Sequence, residues 1–203
     1  EAPDYFLDWA FEEVKRVIPN GTTHSLVART TLDPDLQKAA EESLEFHLRQ
    51  YGKDYDVSEG AITLMDTNGA VRAIVGGRDY GESQFNRATH ALRQPGSSFK
   101  AYVYLTALLN GYTPNSAVVD GPRYCGNWSP RNYAGGYSGR MPMAHALMRS
   151  LNTVAVGLSL DVGRDKVVET ANKVGLTHIR KTCSVALGDQ GTSPLVHTGG
   201  YAV

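Results

Sequence analysis

The sequence has 203 residues, of which 41% are hydrophobic and 20% are charged, values typical of a globular domain with one substantial core. Its 20 lysines and arginines nearly balance 21 aspartates and glutamates, so the charge gives no indication of nucleic acid or an anionic membrane surface as a partner. No apolar run approaches the length that spans a bilayer, and no signal-peptide pattern opens the sequence.

The first third of the chain predicts two helices. Apolar residues recur at helical spacing from Glu1 to about Asn20, which indicates an amphipathic helix. Residues 25–31 have the pattern of a short strand. A second helix is predicted from Pro34, which suits the first helical position after a capping Asp33, to about Gly52.

A β-hairpin is predicted next. Two apolar runs at 61–65 and 70–75 flank the dipeptide Asn68-Gly69, and an Asn-Gly pair between apolar runs is a strong hairpin signal. These runs are therefore expected to be antiparallel neighbours in a sheet.

The remainder of the chain is predicted to be mainly helical. Helices are expected at 98–110, at 142–149, from Thr153 onward and at 164–174. Residues 121–139 are rich in Gly, Asn, Tyr and Ser and are predicted to form a surface loop. Helices combined with antiparallel strands predict an α+β fold.

Ser97 and Lys100 form a Ser-x-x-Lys motif at the predicted start of a helix. Residues three apart share one helix face, so the hydroxyl and the amine can meet where the free amides and the dipole of the first turn favour negative charge. A serine needs an adjacent base to become a nucleophile, and a lysine with a lowered pKa can serve. The spacing alone is expected about once by chance in a chain of this length, and a solvated lysine then explains it more simply.

The surroundings of this motif favour the catalytic interpretation. Pro95-Gly96 gives the helix a tight, stiff entry. Ser150-Leu151-Asn152 lies at the break between two predicted helices, where residues two apart point to the same side. Ser150 could relay a proton there and Asn152 could bind a substrate amide, although a solitary Ser-x-Asn would be interpreted as a helix cap. Ser-x-x-Lys followed by Ser-x-Asn is the pattern of serine β-lactamases and penicillin-binding proteins.

Around these motifs the chain closely resembles class A (bifunctional) penicillin-binding proteins. The octapeptide Arg93–Lys100 resembles their active-serine segment. Further similar segments follow the family order at 30–37, 75–80, 85–88 and 150–156. The resemblance covers nearly the whole chain and implies the penicillin-binding transpeptidase, β-lactamase-like fold, in which an antiparallel sheet packs with a helical cluster.

The resemblance also implies a role for each matched residue. Ser97 would be the acylated nucleophile with its own amide as one oxyanion donor, and Lys100 would be the general base. Ser150 would pass a proton toward the leaving amine, and Asn152 would hold the donor peptide. The implied reaction is D,D-transpeptidation of peptidoglycan stem peptides ending in D-Ala-D-Ala, and β-lactam antibiotics would trap the serine.

One family motif, Lys-Thr-Gly, does not occur in the sequence. His197-Thr198-Gly199 is a local candidate, but it follows Asn152 closely, and a polar patch on a helix is the preferred interpretation. We therefore expect residues 25–203 to be the N-terminal portion of a transpeptidase domain that lacks its C-terminal part and a complete active site. Residues 1–24 would be the linker after an absent glycosyltransferase domain.

The implied parent protein is membrane-anchored at the periplasmic face of the bacterial inner membrane and works with other wall-building proteins. Two alternatives stay open: a D,D-carboxypeptidase or β-lactamase-type hydrolase, and a non-catalytic scaffold module of the same fold. The six histidines show no metal-ligand spacing, and the reaction needs no cofactor.

Cys125 and Cys183 are either a disulfide or two free thiols. We favour free thiols slightly, since nothing in the sequence forces them together.

Overall fold

The computed structural model describes residues 4–21 and 24–203, and the chain divides into two compact units. One unit comprises the described residues of Glu1–Leu92 together with Ser193–Val203, and the other comprises Arg93–Thr192. In the part of the chain that the structure describes, no helix combines the length and apolarity needed to cross a membrane.

The regular elements are helices and two antiparallel pairs of short strands, which agrees with the predicted α+β class. The helices are α1 (Tyr5–Val17), α2 (Pro34–Tyr51), α3 (Arg87–His90), α4 (Lys100–Leu109), α5 (Met143–Met148), α6 (Asn152–Val162), α7 (Arg164–Lys173) and α8 (Pro194–Tyr201). The strands are β1 (Ile62–Met65), β2 (Val71–Val75), β3 (Ala117–Asp120) and β4 (Gly139–Pro142), and 3₁₀ turns lie at Gly96–Phe99 and Val185–Leu187.

In the first unit, the predicted hairpin and second helix are confirmed. Strands β1 and β2 pair antiparallel, with Ile62 opposite Val75. Helix α2 begins at Pro34 because the side chain of Asp33 accepts hydrogen bonds from the first free amides. Helix α1 buries Phe6 against Ile74 of β2, so the hairpin is covered by apolar faces of the helices.

Two expectations for the start of the chain are adjusted. Helix α1 ends at Val17 rather than near Asn20, and the first three residues of the predicted helix lie outside the described part. The strand predicted at 25–31 is wrong, since these residues have no regular structure and are exposed. In the described part of the chain these residues pair with no strand, and a strand is stable only when its backbone groups are paired.

The second unit holds a helical cluster around a single core. The packed side chains come mainly from α4, α6 and α7, among them Phe99, Val103, Val156 and Val167. All four predicted helices are present, although the first opens as the 3₁₀ turn before α4. The antiparallel pair β3–β4 was not predicted, because its partners lie about twenty residues apart and carry weak alternation.

The two cysteines form a disulfide, Cys125–Cys183, with an S–S distance of 2.02 Å, so the preference for free thiols is wrong. The partners are 58 residues apart in sequence, and only the fold brings them together. A loop of this size restricts the unfolded chain by about 4 kcal/mol in the chain-entropy account. The bond ties the predicted loop at 121–139 to the segment that precedes the Val185–Leu187 turn.

Candidate active site

Ser97 lies in the 3₁₀ turn Gly96–Phe99, directly before α4, and its side chain is exposed. The turn is held on both sides. Pro95 precedes it, the Gly96 amide donates to Gly188 O at 3.3 Å, and Phe99 is buried in the core. An accessible hydroxyl on a well-anchored turn, at the start of a helix with free amides, is the geometry that a nucleophile requires.

Lys100 is 1% exposed and connects two sequence motifs. Its Nζ donates to Ser150 O at 2.6 Å, to Ser150 Oγ at 3.0 Å and to Asn152 Oδ1 at 2.6 Å. These three bonds use all the donors of an ammonium group. Burial lowers the pKa of Lys100 from 10.5 to about 8, which brings the neutral amine within reach of physiological pH.

The hydrogen bond expected between Ser97 and Lys100 is not found in the described residues, where the amine instead points at the second motif. The structure thus brings Lys100, Ser150 and Asn152 into direct contact. Ser97 stays adjacent through the backbone, because the Lys100 amide donates to Ser97 O.

Ser150 has a left-handed backbone conformation. It sits between α5 and α6 with a φ of +53°, a left-handed value that is uncommon outside glycine. The Ser150 amide donates to Leu147 O at 2.8 Å and the Leu151 amide donates to Ala146 O at 3.1 Å. These bonds close the end of α5 and hold Ser150 where both of its oxygens reach Lys100.

Asn152 is fixed by the loop that precedes β4. Its Nδ2 donates to Arg131 O at 2.8 Å, and its backbone amide donates to Asn132 Oδ1 at 3.0 Å. The side-chain amide therefore faces Lys100 with its oxygen. Sequence reasoning assigned 121–139 to an irregular surface loop and missed Asn132, since no local pattern indicates that its side chain reaches a residue twenty positions later.

A second loop supports the 3₁₀ turn that carries Ser97. Gly188 has a φ of +65°, and a Cβ placed on it would lie 2.3 Å from Gly96 O. Gln94 Nε2 donates to Asp189 O at 2.9 Å, and Arg93 and Thr192 exchange two backbone hydrogen bonds. The loop at 188–191 thus packs directly against the entry to Ser97.

The candidate third motif is helical. His197-Thr198-Gly199 lies within α8 of the first unit, as the polar-patch interpretation predicted. The Thr198 hydroxyl donates to Pro194 O at 2.8 Å and contacts the Thr63 hydroxyl at 2.6 Å. These contacts account for Thr198 as a packing residue of α8 on β1.

The surroundings of Ser150 include an open cavity of about 300 Å³, lined among others by Asn132, Tyr133 and Arg149. Within residues 4–21 and 24–203, no group of three or more His, Cys, Asp or Glu side chains is placed to hold a metal ion. The groups that meet at Lys100 are its buried amine, the Ser150 hydroxyl and the Asn152 carboxamide, and the exposed Ser97 precedes Lys100 by three residues. A serine hydroxyl beside a lysine amine and further polar groups is the set that acyl transfer by a serine uses.

Comparison with known proteins places this geometry in a familiar context. Residues 60–194 match the family model described as the penicillin binding protein transpeptidase domain. Penicillin-binding protein 1A of Aquifex aeolicus is 42% identical over 152 residues, which is 71% of this chain and 21% of that protein. The chain thus spans about a fifth of the length of this curated relative.

Two solved structures are also similar. A crystal structure of penicillin-binding protein 1A from Haemophilus influenzae matches with a TM-score of 0.67 and 34% identity, over 71% of this chain and 23% of that one. PonA1 from Mycobacterium tuberculosis in complex with penicillin V matches with a TM-score of 0.76 and 26% identity, over 97% of this chain and 55% of that one.

Proposed function

The chain belongs to the family of penicillin-binding protein transpeptidase domains, with close similarity to the 1A-type class A proteins, and from this premise we propose that it carries the acylated serine of a peptidoglycan D,D-transpeptidase. The observation that carries the proposal is the buried Lys100, which joins the Ser-x-x-Lys and Ser-x-Asn motifs through three hydrogen bonds. Family membership implies peptidoglycan cross-linking and penicillin binding, and the residues give these activities a mechanism.

In the proposed acylation step, Ser97 Oγ attacks the carbonyl carbon of the penultimate D-alanine of a stem peptide. Neutral Lys100 accepts the serine proton, and a tetrahedral oxyanion forms near the Ser97 amide. Collapse of this intermediate breaks the peptide bond and leaves an ester on Ser97. The departing D-alanine amine takes a proton, which Ser150 relays from Lys100 across the 3.0 Å contact between Nζ and Oγ.

The second step reverses the first with a different amine. The amine of a neighbouring stem peptide attacks the ester, Ser97 recovers its proton, and a new peptide bond cross-links two strands. Asn152 would turn its carboxamide to the backbone of the donor peptide. A β-lactam is opened by the same attack, but its amine stays tethered to the acyl group, so the ester on Ser97 persists.

The test is an intact-mass measurement on the full-length protein after incubation with penicillin. We expect a single stable adduct whose peptide map assigns it to Ser97. Ser97→Ala should remove the adduct. Ser98→Ala is the matched control, because Ser98 is the exposed neighbour whose hydroxyl donates to Pro95 O at 2.7 Å, and it should keep the adduct.

The lifetime of the adduct separates the proposed function from its alternatives. A transpeptidase holds the penicilloyl ester for many minutes, whereas a hydrolase of the same fold releases it in seconds. Fast release needs a group that activates water. Glu169, a carboxylate that follows Asn152 in the sequence, does not suit this role, because it is exposed and paired with Lys173 at 2.7 Å on α7. A folded protein without any adduct would indicate the scaffold alternative and overturn the proposal.

We extend the proposal to the whole protein as the family suggests. It would also be a peptidoglycan glycosyltransferase, anchored in the inner membrane with this region in the periplasm, acting beside other wall-building proteins. The disulfide Cys125–Cys183 supports an oxidising compartment. The match at residues 60–194 falls inside 25–203, the proposed transpeptidase portion, and the linker at 1–24 stays a prediction.

The rate of penicillin acylation is expected to rise with pH, to reach half of its maximum near pH 8 and to level off above about pH 9. The neutral amine of Lys100 is the active base, and with its pKa at about 8 roughly a quarter of it is neutral at pH 7.5, against about 0.1% for an ordinary lysine. Stopped-flow acylation rates measured from pH 6 to 9.5 give the midpoint. A profile that is flat above pH 6 would contradict the role of Lys100.

A further inference from the structure

Helix α6, which begins at Asn152, is capped by a side chain from outside the helix. Leu151 occupies its N-cap position and supplies no side-chain hydrogen bond. Asn132 Oδ1 instead accepts from the amides of Asn152 at 3.0 Å and Thr153 at 3.3 Å. These are two of the four amides that the first turn of a helix leaves free, so Asn132 takes the part of the missing cap from twenty residues earlier.

The carboxamide of Asn132 is itself fully held. Its Nδ2 donates to Asp120 Oδ1 at 2.8 Å and to Gly136 O at 3.1 Å. Together with the two amides of α6, these contacts use all four hydrogen bonds that a carboxamide can make. The carboxylate of Asp120 accepts only, which fixes the nitrogen of Asn132 toward Asp120 and the oxygen toward α6.

Asp120 anchors this arrangement inside the second unit, where it is 1% exposed. It also accepts from the Thr153 hydroxyl and from the Ser138 amide. Burial by itself would raise the pKa of Asp120, but the hydrogen bonds from Thr153, Asn132 and the Ser138 amide outweigh it and lower the pKa. A buried carboxylate with this many donors is satisfied and rigid.

The same loop controls the side chain of Asn152. Arg131 O accepts from Asn152 Nδ2 at 2.8 Å, which leaves Asn152 Oδ1 facing Lys100 Nζ at 2.6 Å. Consecutive residues of one loop therefore hold the backbone and the side chain of Asn152. Neither residue contacts Lys100 through a hydrogen bond in the described part of the chain.

We propose that Asn132, backed by the buried Asp120, is a positioning residue for acylation that holds Asn152 against Lys100 through the two amides it caps. This inference rests on the proposed function. A displacement of about 1 Å in a reacting geometry costs on the order of 100-fold in rate, so a cap supplied by a side chain is a sensitive point of the site.

The test measures penicillin acylation in full-length variants. Asn132→Ala is expected to slow acylation 10- to 100-fold. It should also shift the acid limb of the pH–rate profile to lower pH than in the wild type. The displaced Asn152 Oδ1 would no longer accept from the Lys100 ammonium, and loss of that hydrogen bond lowers the pKa of Lys100. A residue that only stabilised the fold would leave the midpoint unchanged.

A matched control removes a comparable cap far along the same helix bundle. Asn110 ends α4, donating from Nδ2 to Thr106 O at 2.8 Å and accepting from Lys166 at 2.6 Å. Asn110→Ala should lower the melting temperature by a similar amount and leave the acylation rate within threefold of wild type. Equal slowing in both variants would overturn the inference and assign Asn132 to general stability.

A swap of the two side chains keeps the inference testable if Asn132→Ala does not fold. Asn132→Asp faces Asp120 with a second carboxylate and should be slow. Adding Asp120→Asn restores a donor between the two positions, and we expect it to recover at least tenfold of the loss. No recovery in a folded double variant overturns the proposal. Wild-type protein that forms no adduct would instead sink the proposed function, so the two failures are distinguishable.

Discussion

Replacing Lys100 with methionine is expected to slow the acylation of Ser97 by penicillin about 1,000-fold, within the range typical of losing a general base. Methionine fills a similar volume in a site that is 1% exposed, so the core stays packed. The variant removes the proposed base for Ser97, and it leaves Asn152 Oδ1 and the oxygens of Ser150 without their shared donor. The second-order acylation rate with a fluorescent penicillin measures the effect.

The control for this variant is Lys173→Met. Lys173 is exposed and forms an ion pair with Glu169 along one face of α7, an interaction worth under about 1 kcal/mol. The Lys173→Met variant should be acylated at the wild-type rate. If Lys100→Met acylated within tenfold of wild type while remaining folded, another base would have to serve Ser97.

Sequence reasoning found the parts of this site that are encoded locally. Ser97 and Lys100 are one helical turn apart, and the spacing of apolar residues predicts the helix that follows them. Helix α2 was predicted equally well, from the cap Asp33 and from Pro34 at its first position. The hairpin β1–β2 was equally local, because an Asn-Gly turn fixes the pairing of its two flanks. The two short motifs could therefore be placed from the sequence once the start of each helix was predicted correctly.

The remaining features depend on contacts between distant segments. Cys125 and Cys183 are 58 residues apart, Asn132 caps a helix twenty residues later, and Gly188 packs on Gly96. The Ser97–Lys100 hydrogen bond was predicted and is not found for the same reason, since the acceptors that compete for the amine come from Ser150 and Asn152. Spacing shows which residues share a helix face, but only the fold decides which partner each one meets.

Two loops hold different parts of the site. The loop with Asn132 fixes the second motif, and the loop with Gly188 fixes the entry to the first. The Lys100 amine contacts Asn152, which the first loop holds, and Ser97 lies in the turn that the second loop supports. Loss of either loop should disturb catalysis in a different way: the first through Lys100, and the second through the position of Ser97.

Gly188→Ala is expected to destabilise the protein by about 3 kcal/mol and to slow acylation at least 100-fold. A side chain at a φ of +65° costs about 1–2 kcal/mol. Overlap of the new Cβ with Gly96 O, 2.3 Å away, adds about 1–3 kcal/mol of crowding. Backbone cannot yield as a flexible side chain does, so the turn carrying Ser97 must shift, and a shift of about 1 Å costs on the order of 100-fold in rate.

Gly111→Ala separates the effect of backbone strain from the effect of crowding against Gly96. Gly111 also has a positive φ, +92°, but a Cβ there meets nothing within 4 Å. It should cost only the backbone strain of about 1–2 kcal/mol and acylate normally. Thermal unfolding and fluorescent-penicillin acylation of both variants give the comparison. If Gly188→Ala acylated as fast as Gly111→Ala, the close approach of Gly188 to Gly96 would be a packing detail without control over Ser97. If it alone were slow, the position of the nucleophile would depend on a glycine ninety residues away in the sequence.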